Sequence, residues 1–334
     1  MTKKDIIYLE DLIYNIKRIR IKLDSSYLKE LLIKASKNNR PHCDMNFIKS
    51  LGLKPTTKYL NCTIYGWMKN DIALPINYML KIAKLAGENW KKIQEKIIMI
   101  KSGENGLEIE NIFPIKIDQK LGSIIGHIMG DGSIDKKYQQ VFFSNSEKTL
   151  LNEFSTNIEE IFGLKPRIWM QKKPEYGNTQ WDKKLESIQE MKSGRNVGLF
   201  YPTICGLILN AIFDNFAVGK DKKMTKEIIT ANRQFKKGLI RAFYDDESSV
   251  GQKNIRLFQD RKEVLETFRE LLKEFYISSS TIKMYKKRDK ERYYFDIFRK
   301  SNFIKFDREI GFTSPRKDDR LKKMLIIKNP TNSR

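Results

Sequence analysis

Apolar positions recurring at three and four residues in IIYLEDLIYNIKRI and SYLKELLIKA predict amphipathic helices over the first hundred residues, so this part is expected to be all-α. From Lys101 to Asp118 the periodicity lapses: KSGENGLEIENIFPIKID carries two glycines and a proline, marking a linker and a domain boundary. Beyond it, β-rich stretches at Gln140–Phe143, Arg167–Met170, Ile255–Phe258 and Tyr293–Phe298 alternate with helical ones. That alternation predicts a mixed α+β second domain.

The second domain is written twice. At an offset of 114, Lys148, Leu151, Phe154 and Glu160 fall on Lys262, Leu265, Phe268 and Glu274. The following strand repeats as well, Ile168, Met170, Lys172 and Lys173 falling on Ile282, Met284, Lys286 and Lys287. Two equivalent halves imply an internal pseudo-two-fold axis.

Charge adds a partner to this picture. The 334 residues hold 64 Lys and Arg against 41 Asp and Glu, a net charge of +23. Such an excess on a globular composition points to a polyanion, because neutralising phosphates releases counterions. Cys43, Cys62 and Cys205 are widely spaced, with no CxxC pair for a zinc site, and fit a reducing, intracellular compartment. No signal peptide or membrane-spanning run is expected. With only His42 and His127, histidine-based triads and metal sites are disfavoured, which leaves carboxylates and lysines to do any chemistry.

Just upstream of each copy an apolar helix ends in a carboxylate: IIGHIMGDG runs from Ile124 to Gly132 and IRAFYDDES from Ile240 to Ser248. Asp131 and Glu247 lie 116 apart, close to the repeat offset. Small residues at Gly126, Gly130 and Ala242 would let the helices pack side by side and bring both acids to the axis. Two carboxylates held close repel, so they share a proton or hold divalent cations. Hard oxygen ligands suit Mg²⁺, which polarises phosphodiesters and activates water. An acid at a helix C-terminus also opposes the helix dipole and asks for a cation.

These residues resemble the LAGLIDADG homing endonucleases in their single-chain, two-motif, archaeal-like form. The resemblance spans roughly residues 118 to 325, and IGFTSPRKDDRL from Ile310 to Leu321 is similar to the closing segment of many members. It implies two pseudo-symmetric αββαββα repeats, about 118–225 and 234–330 within a domain of 118–330, whose sheets form a saddle on double-stranded DNA. It implies Asp131 and Glu247 as catalytic acids sharing two or three Mg²⁺ ions, with the carbonyls of Gly130 and Asp246 as further metal ligands. Asn145 with Ser146, and Gln259 with Asp260, match the strand ends that order water or phosphate.

Three positions depart from the family pattern: Met129 replaces the first acid of one motif, Ser248 replaces the last glycine of the other, and His127 sits at an apolar site. A glycine there can take a positive φ that serine resists. His127 is expected to be packed rather than catalytic. No lysine stands at the strand ends, so Lys172, Lys173, Lys286 and Lys287 are read as phosphate contacts.

Within residues 1–112, Asp44 opens a short helix, and Thr63, Ile64, Trp67 and Pro75 are similar to the helix-turn-helix of phage repressors. Lys58, Tyr59, Asn61 and Thr63 are then the groove contacts. The chain begins MTKK and ends NPTNSR, without the terminal residues of a self-splicing intein. The expectation is a monomeric, DNA-associated, cytoplasmic endonuclease. The alternative is a decayed, nucleic-acid-binding relative, a transcription regulator or an intron maturase that adds intron RNA as partner.

Overall fold

The computed structural model describes residues 5–13, 15–16, 18–53, 60–69, 72–171, 179–182, 196–218, 221–287 and 290–326. The chain divides into two compact units, one of Ile7–Ile115 with Pro202–Ile212, the other holding the rest.

The first unit is not all-helical as expected. It contains a four-stranded antiparallel sheet ordered Leu74–Pro75, Ile19–Leu23, Ile97–Ser102, Glu108–Glu110. IRIKL alternates: Ile19, Ile21 and Leu23 are wholly buried while Arg20 and Lys22 point outward, the two-residue period of a half-buried strand. Helix Ser25–Ser36 starts on Asp24, whose carboxylate accepts from the Tyr27 N–H, and packs on helix Ile76–Ala86. Asp44 caps helix Met45–Ser50 by accepting from the Asn46 and Phe47 N–H groups. Helix Leu60–Met68 follows, and Pro75 precedes Ile76–Ala86. Trp67 is buried beside Tyr78, ring centroids 5.5 Å apart. Thr63 is half-buried on its helix; Lys58, Tyr59 and the Asn61 side chain lie outside the described residues. Helix Thr203–Ile212 joins this unit and packs on strand Ile97–Ser102.

The second unit has the α+β class and the duplicated order expected. Each half runs motif helix, two strands and a helix, followed by three strands in the first half and two in the second. The first sheet orders Thr179–Asp182, Arg167–Gln171, Val197–Tyr201, Val141–Asn145 and Gly132–Ile134, extended by Ala217–Val218 and Asp221–Lys222. The second orders Ser248–Val250, Ile255–Gln259, Lys290–Ile297 and Lys283–Lys287. Registers match too: Val141 opposes Tyr201 as Ile255 opposes Ile297. Helices Lys148–Phe162 and Lys262–Glu274 begin at the paired lysines and bury Leu151 with Phe154, and Leu265 with Phe268. Phe268 stacks on Phe243 at 4.1 Å, and its counterpart Phe154 packs edge-on against His127. A fully buried aromatic of this kind contributes about 1.5–3 kcal/mol. Among the described residues no helix is long and apolar enough to cross a membrane.

Candidate active site

The motif helices, Gln119–Met129 and Arg233–Glu247, start on Asp118 and Asn232, which accept from the Leu121 and Phe235 N–H groups at 3.0 and 2.9 Å. They touch backbone to backbone. A Cβ on Gly122 would lie 2.0 Å from the Phe235 carbonyl oxygen, and one on Gly238 would lie 2.0 Å from that of Gln119. This reciprocity pairs Gly122 with Gly238, Gly126 with Ala242, Gly130 with Asp246 and Asp131 with Glu247. Two of these glycines, Gly122 and Gly238, were not singled out by the sequence reading.

At the helix ends the side chain of Asp246 fills the space left by Gly130, where a Cβ would come 2.5 Å from Asp246 Oδ2. That oxygen lies 3.0 Å from His127 Nδ1 and accepts from the Asp131 N–H at 3.4 Å. Asn145 Nδ2 donates to Asp131 Oδ2 at 3.1 Å and to Asp246 Oδ1 at 3.3 Å. The sequence reading used only the backbone of Asp246, yet its carboxylate ties both helices and the Asn145 strand together.

Burial, and then the neighbouring Asp246 and Glu247 carboxylates, push the Asp131 carboxyl up to about 7. Glu247 is also raised, first by burial and then by Asp246, against the pull of Lys222. Both carboxyls are thus harder to ionise than free ones. His127 is buried, as expected, beside Phe143 and Phe154. Burial opposes its charge, but the Asp246 and Glu153 carboxylates raise it to about 10. Glu153, half-buried and bonded by Ser123, is held near 2 by the same histidine.

Two lysines that the sequence reading missed cap the helix ends. Lys222 donates to the Gly130 carbonyl, and Lys317 donates to the carbonyls of Tyr244, Asp245 and Ser248 at 3.0, 2.6 and 2.6 Å. Cations there satisfy orphan carbonyls and complement the dipoles. Burial lowers both ammonium groups, while Asp131, Glu247 and Asp246 pull Lys222 back toward its charged form. The signal for Lys317 lay in the closing segment IGFTSPRKDDRL; Lys222 had none.

The departures from the family motif find structural reasons. Asp245, the counterpart of Met129, accepts from the Thr313 and Ser314 N–H groups at 3.0 Å, just ahead of helix Pro315–Ile326. The acid missing at Met129 is therefore a capping residue. Ser248 has φ −107° and ψ 162°, so the expected strain of a serine at a glycine position is absent. Gly132 answers to space instead: its Cβ would meet Ile128 Cα at 2.7 Å.

Gln259 does not mirror Asn145; its Oε1 accepts from the Asp260 N–H at 2.7 Å, and Arg292 holds the Asp260 carboxylate. Lys286 and Lys287 lie on strand Lys283–Lys287, Lys286 exposed. Lys172 and Lys173 fall outside the described residues.

Asp131, Glu247 and the Gly130 carbonyl are the hard oxygens expected to hold a metal, and the last of them accepts from Lys222. Among the described residues no group of three or more His, Cys, Asp or Glu is placed to hold a metal ion.

Residues 118–205 and 234–311 match the LAGLIDADG-like domain. The DNA-directed RNA polymerase subunit Rpo1C of Methanocaldococcus jannaschii is 26% identical over 228 residues, 67% of this chain and 23% of the relative. The chain thus spans about a quarter of that relative's length. Among solved structures, mesophilic variants of the homing endonuclease I-DmoI share 15% identity over 62% of this chain and 98% of theirs, at a TM-score of 0.43. I-DmoI in complex with DNA and Mn shares 17% over 58% and 97%, at 0.41. Full-length WhiA from Thermatoga maritima shares 13% over 65% and 64%, at 0.40.

Proposed function

We propose that this chain, whose residues 118–205 and 234–311 belong to the LAGLIDADG-like domain family, is a site-specific double-strand DNA endonuclease of homing type that uses a divalent metal, Mg²⁺ by preference. The observation that carries this reading is the meeting of Asp131 and Glu247 at the ends of two reciprocally packed helices, each raised by burial and by neighbouring carboxylates.

Asp131, Glu247 and the Gly130 carbonyl would hold the ion, with the Asp246 carbonyl as a further ligand. Bound there, it supplies Lewis-acid polarisation of a phosphodiester and makes water a stronger nucleophile. Asn145 fixes one Asp131 oxygen and leaves the other for the ion. Lys222 and Lys317 offset the remaining negative charge and keep the helix ends closed. Gln259, Lys286 and Lys287 flank the second half, where they would contact water or phosphate; Lys172 and Lys173 would serve the first. The amino-terminal unit adds a second basic surface, with Lys58, Tyr59, Asn61 and Thr63 as its groove contacts. The protein acts as an intracellular monomer, its two halves serving the two strands.

A second reading, a nucleic-acid-binding relative without cleavage, draws on one observation: the Lys222 ammonium bonds the Gly130 carbonyl, an atom the metal would use. Incubation with a randomised duplex library in Mg²⁺, with Ca²⁺ as control, separates the two. Defined new ends in Mg²⁺ alone support the endonuclease; enrichment by binding without ends supports the regulator.

A further inference from the structure

At the end of the motif helices opposite Asp131 and Glu247, a cavity of about 430 Å³ opens where the two helices begin. Its walls include Asp118, Lys120 and Ser123 from the start of the first motif helix, with Glu153 and Asn157 from helix Lys148–Phe162. That volume is within the range of small-molecule pockets. The helix climbs roughly 18 Å from Gln119 to Asp131, so the cavity is separate from the acids.

Asn157 is only 8% exposed, yet its carboxamide lines the cavity without a hydrogen-bond partner. A polar group buried in this way is normally paired, here by something in the cavity. Glu153 stands four residues earlier, on the same face of the helix. One of its oxygens accepts from Ser123 Oγ at 2.9 Å. The other is buried 3.8 Å from His127 Nε2, and neither of these two atoms makes a hydrogen bond.

The cations at this cavity are already engaged. Lys120 is paired with Glu160, and His127 is shared between Glu153 and Asp246. Asp118 accepts from the Lys120 and Leu121 N–H groups through Oδ1 alone. An acidic hollow thus stands on a chain of net charge +23. Its two carboxylates repel an anion. A bare metal ion is poorly served, because among the described residues no group of three or more His, Cys, Asp or Glu is placed to hold one. An ammonium group fits, since it brings three N–H donors to carboxylate and carboxamide oxygens. The carboxylates are also spaced for two such groups. Ser123, to which Glu153 is bonded, stands five residues beyond Asp118, roughly 7.5 Å along the helix. An ammonium bonded at each end at ~2.8 Å leaves room for three or four methylenes between them.

We propose that this cavity binds a short aliphatic diammonium cation, one end held by Glu153 and Asn157 and the other by Asp118. The site stands whether or not the chain cuts DNA.

The test is calorimetric titration of full-length protein, freed of nucleic acid, with 1,4-diaminobutane, butylamine and 1,8-diaminooctane at equal ionic strength. The expected result is one-to-one binding of 1,4-diaminobutane, at least about ten-fold tighter than butylamine, which lacks the second charge-assisted contact. Asn157→Leu should weaken that binding by about ten-fold. Asn157→Asp, which adds a carboxylate, should tighten it. The Asn157 side chain makes no hydrogen bond within the protein, so both variants should fold. Absence of saturable binding, equal binding of the monoamine, or equal binding by wild type and Asn157→Leu overturns the proposal. Should Asn157→Leu fail to fold, the length series in the wild type decides: tighter binding of the four-carbon than of the eight-carbon diamine supports the site, and indifference to length overturns it.

Discussion

His127 Nδ1 stands 3.0 Å from Asp246 Oδ2 across the seam of the motif helices, both side chains without solvent exposure. The partner position in the second half is Phe243, so a phenylalanine fits the helix pair in shape. It cannot pair with Asp246 or Glu153, and removing one member of a buried ion pair costs about 3–5 kcal/mol. His127→Phe should lower stability at pH 7 by that order. The histidine is raised from 6.5 to about 10, so its contribution is full below the unfolded value and is lost as pH rises through the folded one. Urea unfolding across pH 6.5–10 should show an alkaline decline in the wild type that flattens in the variant; parallel curves would remove His127 from that role.

Gly122 and Gly238 are needed for space rather than for φ. A side chain on either meets a backbone oxygen at 2.0 Å, which no rotamer can relieve. Gly122→Ala or Gly238→Ala should cost at least ~3 kcal/mol, the upper end of overpacking. Gly163 provides the contrast: it has φ +64° with open space around it, so Gly163→Ala should cost only about 1 kcal/mol. Thermal melts of the three variants measure the difference, and equal losses would refute the close-packed seam.

The seam and its two acids were legible because they are local: a helix, its small residues and its terminal carboxylate share one stretch, and duplication wrote that stretch twice. What the sequence reading missed is held by long-range contacts. Lys222 reaches Gly130 across 92 residues, and Lys317 reaches Asp245 across 72. The amino-terminal sheet was missed for the same reason: IRIKL pairs with IIMIKS far along the chain, and each run alone is short enough to pass for part of a helix. Asp246 was read through its carbonyl because nothing local shows that Gly130 leaves room for its side chain.

Asp131→Asn and Glu247→Gln should each reduce double-strand cleavage at least ~10³-fold while DNA binding stays within a few-fold. Both changes remove a charge raised by burial and by neighbouring carboxylates, so without metal each variant should melt higher than the wild type above pH 7. A structural role for these acids would lower the melting temperature instead. Cleavage gels and melts in EDTA, read together, therefore distinguish functional acids from structural ones.

Metal affinity should depend on pH through Asp131. Its carboxyl is raised from 3.8 to about 7, so on its account the metal-free protein is most stable when the acid is protonated and loses stability as pH rises through 7. A divalent ion must displace that proton below pH 7, which costs up to roughly tenfold in affinity per pH unit. Above pH 7 the ion meets a carboxylate whose repulsion it relieves. Mg²⁺ should thus raise the melting temperature more at pH 8 than at pH 6. Asp245 is also raised to about 7 but is bonded to Thr313 and Ser314, so it shifts the baseline of both melts alike. Asp131→Asn should make the Mg²⁺ effect small and flat with pH. Equal wild-type shifts at the two pH values would mean that the ion does not bind at Asp131.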